Sequence, residues 1–142
     1  MAHLNRMQLL KKEDLEIEKV TFEPDSTDFV YVRQMTGRER DSFEESLTKE
    51  VRNAKGKIDY KRDISDFRAK LAVHTLCDAK GKNLMSVKDI PLLSTNMSAY
   101  RLECIVNAAQ KINKISEEDR NALVKNSEGD RKEDSTSGSQ KS

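Results

Sequence analysis

At three expected helix starts along this chain a hydroxyl side chain is followed three residues later by a carboxylate: Thr36 with Glu39, Ser86 with Asp89, and Ser116 with Asp119. At that spacing the two side chains can satisfy each other's orphan amides at a helix start. Three such starts commit most of the chain beyond residue 36 to short helices. What precedes the first one is different. Ile17 to Phe22 and Phe29 to Gln34 are rich in Val, Ile, Phe, Tyr and Thr, and they flank Glu-Pro-Asp-Ser-Thr-Asp, where Pro24-Asp25 suits a tight turn. This pattern predicts a β-hairpin over 17–34. A lone hairpin is marginal in water, so the helices must supply the surface on which it packs.

The spacing predicts five helices. The first, about 36–52, carries Phe43, Leu47 and Val51 every four residues. A second, about 64–77, has Phe67, Leu71 and His74 on one face with Ala69, Val73 and Leu76 beside them. A third spans about 86–93, with Pro91 tolerable in its first turns. A fourth covers about 96–113, with a stripe of Met97, Tyr100 or Arg101, Cys104, Ile105, Ala108 and Ile112. The last, about 116–125, carries Leu123 and Val124. Asn53 to Arg62 reads as a polar connection, and Asp78 to Asn83 as a turn in which Gly81 takes the positive φ that stops a helix. The expected architecture is α+β, mainly α: an N-terminal hairpin followed by a small bundle of four to five helices, in a single globular domain over 15–125. Residues 1–14 are expected to be a flexible arm. Residues 126–142 contain no apolar side chain and are expected to be a disordered hydrophilic tail.

Composition limits what such a fold can do. Of the 142 residues 36% are charged and 35% apolar, without a tryptophan, so the core is small. Opposite charges are interspersed and nearly cancel at +1, which leaves no broad cationic face for nucleic acid. No apolar run approaches the roughly 20 residues of a membrane helix. The opening residues lack the apolar segment of a leader, and with two widely separated cysteines, Cys77 and Cys104, the expectation is a cytoplasmic protein with free thiols.

No reactive constellation emerges. His74 and Cys77 share a helical spacing, but a structural zinc wants four such ligands, and only His3, Cys104 and carboxylates remain to complete one. The serines lie in no Gly-x-Ser-x-Gly elbow. Gly81-Lys82 and Gly56-Lys57 lack the other parts of a phosphate loop. Glu44-Glu45 and Glu117-Glu118 diverge around a helix instead of converging as an acid-base pair. No enzyme, cofactor or metal is expected. Arg33, Arg38 and Arg40 suggest an anion site, yet Glu39, Asp41, Glu44 and Glu45 surround them, and ion pairs three and four residues apart are the commoner arrangement. Adaptable methionines and aliphatic side chains on a helical body suit binding a segment of another protein, or else they fill the core.

Three segments taken together resemble a known family. VYVRQMTGRERDSFEESL, DFRAKLAVHTLCDAKGKNLMSVKDIPLLS and AAQKINKISEEDRNALVKNSE stand in the order and spacing of the tail assembly chaperones of long-tailed bacteriophages and their prophages, and span Val30 to Glu128. Met85-Ser86-Val87 departs from the family pattern, which has an aromatic residue and an acid-rich cap there. The resemblance implies a non-enzymatic protein of the bacterial host cytoplasm, absent from the mature virion. It would bind the tape measure protein, keep it soluble and help recruit tail tube subunits, with self-association possible. The family carries no agreed binding residues, so placement supplies the expected contacts. These are Tyr31, Arg33, Arg38 and Arg40 at the hairpin edge and first helix start, and Tyr100 and Arg101 on the long helix. A structural virion component, of the tail or the head-tail junction, is the alternative of similar size and composition.

Overall fold

The computed structural model describes residues 2–24 and 26–122. The fold is α+β, with about 44% helix and 19% strand. Strands β1 (Ile17–Thr21) and β2 (Phe29–Arg33) form the expected hairpin. Their alternation sends Val20 and Val32 into the core and leaves Phe29 and Tyr31 on the outer face. A third strand, β5 (Leu76–Cys77), pairs antiparallel on the other side of β2, with Leu76 opposite Val32 and Cys77 opposite Tyr31.

Helix α1 (Arg6–Leu10) starts at a box between Asn5 and Gln8, so the expected flexible arm contains a short helix. Its Leu4, Met7, Leu9 and Leu10 neighbourhood is exposed throughout. Helix α2 (Gly37–Glu45) begins where the sequence says: Thr36 Oγ1 accepts from the Glu39 amide at 3.2 Å, and Glu39 Oε1 accepts from the Thr36 amide at 2.9 Å.

The helix expected to continue to residue 52 ends at Glu45 instead. Phe43 and Leu47 are buried, but Val51 is not, so the third member of the four-residue row has no core to join. Strands β3 (Thr48–Arg52) and β4 (Ile58–Arg62) form a second antiparallel hairpin where a helix end and a polar connection were expected. Its turn is Asn53-Ala54-Lys55-Gly56-Lys57. Asn53 Oδ1 accepts from the amides of Lys55 and Lys57 at 2.9 and 3.0 Å, and Gly56 takes a φ of 78°. The turn Asp78-Ala79-Lys80-Gly81-Lys82 is built the same way. Asp78 Oδ1 accepts from Lys80 and Lys82 at 2.8 and 2.9 Å, with Gly81 at φ 88°.

Helix α3 (Phe67–Thr75) is the centre of the fold, buried on every side except at Arg68. It was expected to reach Cys77, but Leu76 turns extended to fill the open edge of β2, a demand that local helix propensity does not register. The expected third helix is a single 3₁₀ turn, Val87–Asp89, followed by α4 (Ile90–Asn96) with Pro91 in its first turn. Helix α5 (Ala99–Ile112) starts three residues later than expected, because extended Met97 ends α4 and Ser98 caps α5. Its buried stripe is Leu102, Ile105, Val106, Ala109 and Ile112, rotated from the expected one, with Cys104 and Ala108 only at its edge. Helix α6 starts at 117 behind the Ser116 and Asp119 box and runs through 122. The expected helix end at 123–125 and the tail at 126–142 lie outside the described residues.

Two apolar clusters share α3 and α5. One joins Val20, Phe22 and Val32 of the sheet to Ala72, Val73, Ile90, Leu93, Leu102 and Ile105. The other joins Phe43 and Leu47 to Phe67, Leu71, Val106, Ala109 and Ile115. Ile115 is drawn in by the end of α5, where its amide bonds Gln110 O at 2.7 Å and Lys114 takes a left-handed φ of 59°.

Candidate partner-binding site

The shortness of α4 creates the main surface feature. Ile90 and Leu93 turn inward, so Leu92, adjacent to Leu93, must face out and is 59% exposed. Leu84, just past the Cys77–Asn83 bridge, is 56% exposed. These two, with Met85, Leu93 and Met97, line an open trough of about 680 Å³ between α4, the start of α5 and the strand-like segment at Leu84. The exposed Leu84 and Leu92, with the half-buried Met85 and Met97 between them and the core, form a surface for another apolar chain, and the flexible thioethers can re-pack around it.

The trough has a polar edge. Arg101 donates to Asp28 Oδ2 at 3.0 Å and Ser26 Oγ at 3.4 Å, and its guanidinium lies 4.6 Å from the centre of the Phe22 ring. The hydrogen bond from Arg101, then that from Ser26 and the Arg101 charge, hold the Asp28 carboxyl below its ordinary range. Beside it the Tyr100 hydroxyl donates to Glu23 O at 2.9 Å. Tyr100 and Arg101 therefore fasten the β1–β2 turn to α5, and Arg101 also borders the trough. Asp89 stands on the lining, accepting from the Ser86 amide at 2.9 Å.

The other four expected contact residues lie elsewhere. Tyr31 is half-buried on the outer face of the sheet, edge-on to Phe29 at 5.6 Å. Arg38 is exposed at the start of α2. Arg40 pairs with Glu44 at 3.0 Å and reaches Asn113 O at 3.4 Å. Arg33 is not a surface anchor. It is 5% exposed and forks onto Glu39 at 2.6 and 3.0 Å, with Asn83 Oδ1 at 2.6 Å and Gln34 O at 2.8 Å. Burial alone would raise the Glu39 carboxyl from 4.5. The Arg33 hydrogen bonds, the Thr36 amide, the Arg33 charge and Asn83 outweigh it and bring the group to about 2. The expected helical ion pair describes Arg40 with Glu44, four residues apart, whereas Arg33 pairs from strand to helix with Glu39, six residues on. The six residues do not meet on one surface: Arg33 closes one end of β2, whereas Tyr100 and Arg101 grip the turn at the other.

His74 and Cys77 have internal roles. His74 Nδ1 lies 2.7 Å from Lys70 O, and its ring is edge-on to Phe43 at 5.8 Å. Cys77 is buried, and burial pushes its thiol up. Among the described residues no group of three or more His, Cys, Asp or Glu is placed to hold a metal ion, and no helix is long and apolar enough to cross a membrane. Comparison with protein-family models, characterised proteins and solved structures finds no match to this chain.

Proposed function

We propose that this chain is a non-enzymatic tail assembly chaperone that covers apolar stripes of the phage tape measure protein and keeps it soluble while tail tube subunits are recruited. The observation that carries the reading is the open trough lined by Leu84, Met85, Leu92, Leu93 and Met97, on a chain whose three segments resemble that family in order and spacing. An amphipathic helix laid into the trough would place its apolar stripe on the leucines and methionines and its polar flank beside Arg101 and Asp89. Many copies along a long client hold it by avidity, so each trough need bind only weakly. The protein would act in the host cytoplasm and leave before the particle matures.

The test is co-expression with a phage tape measure protein. Leu92→Asp combined with Met97→Asp puts two charges into the trough and should abolish soluble recovery of the tape measure protein. An unchanged soluble yield, with the variant folded by circular dichroism, refutes the assignment of the trough. Stoichiometric recovery of the chain from purified particles would instead make it a structural virion component.

A further inference from the structure

The second hairpin carries a charge quite unlike that of the chain as a whole. Strands β3 and β4 with their turn hold Lys49, Arg52, Lys55, Lys57, Lys61 and Arg62 against only Glu50 and Asp59, a net of +4 in a chain of +1 overall. The rest of the sequence is therefore net negative, and this ribbon concentrates positive charge. Among the described residues no ion pair reaches Lys55, Lys57 or Lys61. Register sets Lys49 directly opposite Lys61. Like charges in that relation destabilise a two-stranded ribbon, which is marginal alone.

The same ribbon displays apolar side chains. Tyr60 is 70% exposed and Ile58 47% exposed. Two residues apart on β4, they share a face with Arg62. An exposed tyrosine flanked by an aliphatic residue and arginine has the composition of an interface anchor.

The ribbon is anchored at its base. Leu47 is fully buried at its base, and the amide of Asp63 bonds Leu47 O across the neck. From α3 the buried Lys70 ammonium donates to Ser46 O at 2.8 Å and Asp63 O at 3.4 Å, tying both ends of the hairpin to the central helix. At the tip Arg52 donates to Gly56 O at 2.7 Å. A surface ordered before binding loses little conformational entropy on contact.

From these observations we infer that the β3–β4 hairpin is a second docking arm, separate from the trough, for an acidic polypeptide segment that carries apolar side chains. The segment's carboxylates meet Arg62 on the Tyr60 face and Lys55 and Lys57 at the turn, and its apolar residues cover Tyr60 and Ile58. Nucleic acid is the poorer fit. Ile58 and Tyr60 occupy the middle of the face, where an apolar side chain covers them and a phosphate backbone finds no partner.

Fluorescence anisotropy on the full chain tests this with three probes: a labelled amphipathic peptide of glutamate and leucine, its lysine and leucine counterpart, and a short DNA duplex. The acidic peptide should bind alone among the three, and more weakly as salt is raised. Tyr60→Ala should weaken it at least about tenfold, and Lys55→Glu with Lys57→Glu and Arg62→Glu should abolish it. Leu92→Asp, in the trough, should leave it unchanged. These results are independent of whether the tape measure protein is the client. Absence of binding by the folded wild-type chain, binding indifferent to the hairpin substitutions, or tighter binding of the duplex would overturn the inference. So would sedimentation showing a dimer that Tyr60→Ala dissociates, which would make the occupant a second copy.

Discussion

Replacing Glu39 by Gln keeps the shape of the side chain and removes its charge. Arg33, with its side chain 7% exposed, is then left without a counter-charge beneath the Asn83 turn. The displacement of the Glu39 carboxyl from 4.5 to about 2 sets an upper bound of about 3.5 kcal/mol at roughly 1.4 kcal/mol per pH unit. Its side chain is 25% exposed, so solvent screens part of that, and about 2 kcal/mol is the expected loss at neutral pH. For a domain of this size that lowers the melting temperature by about 8 °C. The folded group titrates below its unfolded counterpart, so its contribution is complete above about pH 4.5 and disappears as pH falls towards about 2. Urea unfolding followed by circular dichroism should therefore separate wild type from Glu39→Gln at neutral pH and bring them together near the acid end. Arg33→Met with Glu39→Leu should recover much of the loss, because no buried charge remains. A loss under about 0.5 kcal/mol at neutral pH, or one that does not shrink on acidification, would refute the account of this pair.

Two backbone substitutions test the turns. Gly81→Ala must hold a φ of 88° with its Cβ 3.2 Å from Ile17 Cδ1. It should cost about 1–2 kcal/mol, and more than Gly56→Ala, whose Cβ meets open space at a similar φ; equal losses in thermal melts would show that the Ile17 contact is inconsequential. Lys114→Gly relieves a left-handed non-glycine residue at the end of α5 and should stabilise by about 0.5–1 kcal/mol in urea titrations, whereas a net loss would mean that the lysine side chain itself supports this helix end.

Features fixed within a few residues were legible in the sequence. The first hairpin and the helix starts at Thr36 and Ser116 depend on alternation and on hydrogen bonds across three residues, and they stand where they were expected. The second hairpin is written in the same local language. Asn53-Ala54-Lys55-Gly56-Lys57 repeats the turn Asp78-Ala79-Lys80-Gly81-Lys82 in all but its first residue. The spacing of Phe43, Leu47 and Val51 outweighed the β-branched and aromatic residues Thr48, Ile58 and Tyr60 on either side of that turn.

Long-range features were hidden for a different reason. Arg33 is buried because Asn83, remote in sequence, folds over it, and no local pattern records that. The trough needs α4 and α5 to meet at Met97. Only the adjacency of Leu92 and Leu93 hinted at it, since neighbouring leucines on a short helix cannot both face one core.

The central position of α3 has a consequence for the chain's own birth. Leu71, Ala72 and Val73 leave the ribosome before α5 and Ile115, the partners that enclose them in the finished fold. At about 5–20 residues per second, several seconds separate the two. For that interval the most deeply buried helix of the finished fold lacks the partners that close over it, and the nascent polypeptide would itself be a client for a holdase.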